Sequence, residues 1–138
     1  MQKHTKEPMT KIERKDSGYL LTFAGAISLD EMQKWVAESR KALESEKGGF
    51  CVIVDMRTLI PLKQETQLVM VEGQKLYKNR GMTRSAVITN SAVPAMQFKR
   101  LAQESGIYKW ERYFDGTMPG CLDAAFAWGQ DGLDPDMQ

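Results

Sequence analysis

Asp55, Arg57 and Thr58 follow a run of five apolar residues, Phe50-Cys-Val-Ile-Val54, and Thr89, Asn90 and Ser91 close a second run, Ser85-Ala-Val-Ile-Thr89. Side chains of these types, placed just beyond the carboxyl ends of adjacent parallel strands, can converge on a ligand, and the helix N-terminus that follows favours an anion. Two chemistries fit. In one, Asp55 acts as a carboxylate base beside the cationic anchor Arg57, which makes a small enzyme and requires a pocket that raises the carboxylate pKa. In the other, Asp55 and Arg57 form a pair that holds two loops, while Asn90 and Ser91 cap the next helix.

Other chemistries have little material to work with. His4 is the single histidine and lies in a polar N-terminal stretch, so histidine acid-base catalysis, a Ser-His-Asp unit and a histidine metal site are hard to build. No catalytic set, metal site or cofactor is therefore expected. Cys51 sits inside the first apolar run and Cys121 begins an apolar helical pattern, so both read as small buried hydrophobes in a reducing compartment. Gly116-Thr-Met-Pro-Gly120 lacks the lysine and glycine spacing of a phosphate loop and reads as the approach to a helix.

Nineteen basic against eighteen acidic residues give a net charge of +1, which argues against wholesale binding to nucleic acid through its phosphates. Charge is nevertheless uneven. Between Gly73 and Gln103 the chain carries Lys75, Lys78, Arg80, Arg84, Lys99 and Arg100 and no acid. One reading is a solvated face on two neighbouring helices. The other is an anionic partner, such as lipid head groups or an acidic protein surface, met by Lys75, Lys78, Lys99 and Arg100. If those helices shift outward, Leu62, Val69, Met70, Met96 and Phe98 line the exposed groove. Six methionines in structured segments suit a pocket that changes shape, though core filling explains them as well.

The elements that must position these residues can be read from pattern. At 138 residues, with 42% apolar and 27% charged, the chain has the size and composition of one globular domain. Residues 1–9 and 130–138 read as flexible tails, the second acidic, around a domain spanning 10–129. Lys11 to Phe23 forms a hairpin about Asp16-Ser-Gly18. Ser28-Leu-Asp-Glu31 is a capping box that starts a helix ending near Gly48-Gly49. Phe50–Val54 is a central strand covered on both faces. A helix through Val69 and Leu76, a strand over 85–89, a helix after Pro94, a strand over Tyr108–Phe114 and a helix over Pro119–Trp128 complete the order β-β-α-β-α-β-α-β-α. This is an α/β chain whose mixed sheet of four to five strands carries about four helices. Gly73 inside the second helix is expected to weaken it by up to about 1 kcal/mol relative to alanine. No run approaches the 18 apolar residues that span a bilayer, and no leader pattern opens the chain, so a cytoplasmic location is the expectation.

This order, with Cys51-Val-Ile-Val-Asp-Met-Arg57, Arg84-Ser-Ala-Val-Ile-Thr89, Arg112-Tyr-Phe-Asp115 and Ala124-Ala-Phe-Ala-Trp128 at these spacings, resembles STAS domains of the SpoIIAA-like branch over residues 10–129. The resemblance implies a binding or regulatory role, not an enzyme. Its members include anti-sigma factor antagonists, cytoplasmic parts of anion transporters, and small modules suspected of binding nucleotides or lipids. A lipid or other small amphipathic ligand, a protein partner and peripheral membrane contact are the partners it suggests. The antagonists carry a phosphorylatable serine at the start of the second helix, but here the stretch reads Leu62-Lys-Gln-Glu-Thr66, with no Asp-Ser pair. Their serine-kinase switch does not carry over.

Overall fold

A computed structural model describes residues 7–137; His4 and most of the expected N-terminal tail lie outside the described residues. The strands β1 (Met9–Lys15) and β2 (Gly18–Gly25) pair antiparallel as the hairpin. Gly18 closes it against β3, where a Cβ would stand 1.8 Å from the Cys51 carbonyl oxygen. Helix α1 (Leu29–Ala42) starts at the expected capping box: Ser28 Oγ accepts from the Glu31 amide, and Glu31 accepts from the Ser28 amide. Then come β3 (Phe50–Leu59), α2 (Gln64–Asn79), β4 (Met82–Thr89), α3 (Ala92–Ser105), a 3-10 turn (Tyr108–Trp110), β5 (Glu111–Asp115) and α4 (Cys121–Asp131).

The strands lie side by side in chain order, and every pair after the first is parallel. Because successive side chains of a strand point to opposite faces, β3 feeds two cores. Val52, Val54 and Met56 join Met32 and Trp35 of α1, Met70 and Tyr77 of α2, and Phe98 and Leu101 of α3. Ile53 instead joins Ala86, Ile88 and Phe114 beneath Cys121, Ala125 and Trp128 of α4. Three helices therefore cover one face and α4 covers the other, which is why the central run is apolar at every position.

Trp35 anchors the larger core, stacked on Tyr77 at 5.7 Å and meeting the edge of Phe23 at 5.0 Å. It also gives Gly73 a different meaning from the one expected. A Cβ there would lie 2.1 Å from Trp35 Cζ3, so the glycine is what lets α2 approach the indole. Of the residues expected to pack the helices, Trp35 and Leu101 are buried, whereas Val69 and Leu76 are half-buried at the core margin.

Several boundaries differ from the sequence reading: β3 runs past Val54 to Leu59, and β4 starts at Met82 rather than Ser85. Tyr108–Trp110 form a 3-10 turn rather than strand, because Gly106 ends α3 in the left-handed region (φ 85°) and the Trp110 amide bonds back to the Ile107 carbonyl. Gly120 (φ 76°) delays α4 from Pro119 to Cys121. The chain beyond residue 129 is not a detached tail: α4 runs to Asp131, and Asp134 accepts two hydrogen bonds from Arg112, at 2.9 and 3.0 Å.

Candidate functional site

The carboxyl ends of β2 to β4, the start of β1 and the loop after β5 surround a cleft of about 400 Å³. It is lined by Met9, Thr22, Phe23, Ala24, Asp55, Arg57, Thr58, Asn90 and Gly116. Four of the five residues expected to form a ligand site thus meet in one place; Ser91 stands beside it as the N-cap residue of α3. The convergence follows from register. Pairing of β3 with β4 stops at Asp55 opposite Ile88, while pairing with β2 continues to Leu59 opposite Gly25. Between Thr22 and Ala24 that second register shifts, leaving one extra residue on β3 between Asp55 and Thr58, a bulge of the kind that re-aims side chains.

Asp55 and Arg57 form a closed pair. Arg57 Nε and Nη2 donate to the two carboxylate oxygens at 3.0 and 2.8 Å, and the Arg57 amide donates to Oδ1 at 3.2 Å. These bonds hold the guanidinium pKa above its ordinary value. Arg57 Nη1 points at Cys121 Sγ, 3.9 Å away on the first residue of α4. Gly116 packs so closely that a Cβ would meet Asn90 Oδ1 at 2.1 Å and Arg57 Cγ at 2.6 Å. The Arg57 side chain therefore packs between β3 and the β5–α4 loop. Ser91 makes no side-chain cap bond; its amide is bonded instead by Thr89 Oγ1 at 3.3 Å. The cleft thus presents hydroxyls, an amide and a carboxylate-paired guanidinium beside the apolar Met9.

No family profile matches the chain, and no curated protein matches it by sequence. Solved structures do match. An uncharacterized protein of the DUF3478 family from Shewanella loihica, described as having a SpoIIAA-like fold, superposes with a TM-score of 0.60 at 16% identity, covering 91% of this chain and 98% of that one. The chain has a SpoIIAA-like fold. An anti-sigma factor antagonist from Mycobacterium paratuberculosis is similar at a TM-score of 0.54 and 15% identity, over 87% of this chain and 95% of that one. Among the described residues no helix is long and apolar enough to cross a membrane.

The basic stretch is dispersed by the SpoIIAA-like fold. Arg80 donates to the Leu43 and Glu44 carbonyls beyond the end of α1, and Arg84 donates to the Gly129 and Gln130 carbonyls at the end of α4. Both cap the negative end of a helix dipole. Lys78 lies over the Trp110 ring and Lys99 over the Tyr113 ring, at 5.9 and 5.1 Å. Arg100 bonds Gln67 and pairs with Glu104, and Lys75 is exposed. The five residues expected to line a groove do not form an open one: Leu62, Met70 and Phe98 are buried, Val69 is half-buried and Met96 is 68% exposed. Gln97 clasps the loop ahead of α2, accepting from the Leu62 amide at 2.8 Å and donating to its carbonyl at 3.0 Å.

Sequence reasoning passed over Thr22, Met9 and Gly116 as cleft residues, and Glu111 altogether. The first two carry no local signal, since register alone brings them to the cleft. Glu111 alternates with Arg112 and Phe114, so an edge strand with one wet face would turn it outward. Here both faces are covered, and Glu111 is 5% exposed while Arg112 reaches round to Asp134.

Proposed function

We propose that this chain is a non-catalytic binding module of regulatory type. It recognises its partner through the cleft at the strand carboxyl ends, taking the small polar or anionic head of an amphipathic ligand or of a group presented by a protein. The observation that carries this reading is the closed Asp55–Arg57 pair. A general base needs an available lone pair, whereas both oxygens of this carboxylate accept hydrogen bonds from Arg57. Thr22, Thr58 and Asn90 remain as hydrogen-bonding groups around the pair, with Met9 as an apolar wall. Such a lining suits recognition without turnover. The likeness to a protein named an anti-sigma factor antagonist supports the regulatory part of the reading.

Native mass spectrometry of freshly purified protein tests it. The expected result is a retained non-covalent adduct that the double variant Thr58→Ala, Asn90→Ala holds about tenfold or more weakly, the effect of removing two hydrogen-bonding side chains. An adduct held equally by the variant would place recognition outside the cleft. Chemical conversion of a bound molecule by the wild type, lost in Asp55→Asn, would replace the module with an enzyme.

A further inference from the structure

Glu111 opens β5 at the end of the sheet opposite the cleft, and its side chain enters the core between sheet and helices. Ser85 Oγ donates to Oε2 at 2.7 Å and Tyr113 OH donates to Oε1 at 2.5 Å. Among the described residues no ion pair reaches it. The nearest elements offer neutral groups or cations turned elsewhere. From α2 come Gln74 and Tyr77, with Lys78 drawn over the Trp110 ring. From α3 come Ser105, which bonds Gln74 at 2.8 Å, and Lys99, drawn over the Tyr113 ring. The 3-10 turn adds Tyr108, an exposed phenol. Arg112 is committed to Asp134, and Trp128 of α4 donates to the Ser85 and Trp110 carbonyls.

Beside the carboxyl lies a chamber of about 30 Å³, bordered by Glu111, Gln74, Ser85, Tyr77 and Trp35 among apolar residues. That is room for about two water molecules. Trp35 is 1% exposed, and its indole N–H has no hydrogen-bond partner. A closed core thus holds an acid without a cation, an unused donor and space for water. Burial without a counter-charge disfavours the ionised carboxyl, and the two hydroxyl bonds offset only part of that cost, so its pKa is pushed up to about 7.

We infer that Glu111 and this chamber form a proton-operated latch on the helix layer. With the carboxyl neutral, α3 and the 3-10 turn close over the sheet; when it releases its proton to solvent, the α3–β5 corner opens and water reaches the charge. The sign follows from linkage. A carboxyl whose folded pKa is raised binds its proton more tightly in the closed state, so closure is strongest at low pH. It weakens as pH rises from the ordinary carboxylate range, and levels off above the raised pKa. The inference is independent of the cleft, which lies at the other end of β5.

Hydrogen exchange of the full chain between pH 5 and 8, corrected for the intrinsic rate, tests it. Amides of α3 and of Ile107–Trp110 are expected to lose protection by about tenfold per pH unit up to about pH 7 and then level off, while those of β2 and β3 hold theirs. The isosteric Glu111→Gln should abolish the slope, and Tyr113→Phe, which removes a donor to the carboxylate, should move the levelling-off point to higher pH. A flat wild-type profile, equal loss in all elements, or a slope that survives in Glu111→Gln would each overturn the latch. If Glu111→Gln fails to fold, the Tyr113→Phe shift decides alone, and its absence overturns the latch.

Discussion

A Cβ on Gly73 would stand 2.1 Å from Trp35 Cζ3, and that ring cannot easily step aside. Tyr77 stacks on it, Phe23 meets its edge, and it is 1% exposed. Gly73→Ala therefore sets two effects against each other. Alanine gains about 1 kcal/mol in helix propensity, while overpacking a closed core costs about 1 to 3 kcal/mol. The contact is far inside van der Waals separation and falls on a rigid ring, so the packing term should win, by about 1 kcal/mol. Urea denaturation should show a lower midpoint with an unchanged slope. A raised midpoint would mean that the indole relaxes freely. The helical stripe around Gly73 was legible in sequence because its period is local. The contact that explains the glycine was not, since Trp35 is 38 positions away and only tertiary packing brings the two together.

Legibility varies in the same way among elements. The start of α1 was readable because a capping box is a conversation between residues three apart, and Ser28 and Glu31 carry both of its bonds. The far end of β3 was not: beyond Val54 the apolar run breaks into Asp55-Met-Arg-Thr-Leu59, and those residues remain strand because β2 pairs with them. The cleft inherits that division. Asp55, Arg57, Thr58 and Asn90 were found from their place after apolar runs, while Thr22 and Gly116 depended on register. Charge was the least legible property, because a run of cations in sequence says nothing about where each side chain is used. Arg84 lies over Trp128 at 5.7 Å and bonds two carbonyls at the end of α4. Arg84→Leu is expected to cost about 1 to 2 kcal/mol, as α4 loses those charge-assisted bonds and its dipole partner. Thermal unfolding measures it, and an unchanged midpoint would assign α4 to Trp128 packing alone.

Taken as a whole, the sheet never reverses its strand order, so α1, α2 and α3 follow one another on a single face. A doubly wound sheet opens a crevice where its strand order turns back. This one has no such point, and its cleft exists because α4 crosses to the other face through a loop that places Gly116 against Arg57 and Asn90. The same layout governs how the molecule meets a charged surface. Arg80 and Arg84 are taken up by carbonyls, which leaves Lys75, Lys78, Lys99 and Arg100 on α2 and α3. Glu65, Glu72 and Glu104 share those helices, so four cations face three acids. A net excess of one cation is worth about 1 kcal/mol beside an anionic bilayer. Exposed Leu68, Val93 and Met96 add apolar contact that does not depend on lipid charge. Co-sedimentation with anionic and neutral vesicles at low and high salt is therefore expected to give weak binding that differs little between the two lipids. Screening that single excess charge with salt should alter it by no more than about fivefold. Strong binding confined to anionic vesicles, abolished by salt and by changing Lys75, Lys78, Lys99 and Arg100 to glutamine, would show that the three acids do not screen the face, and would make the α2–α3 surface a membrane contact.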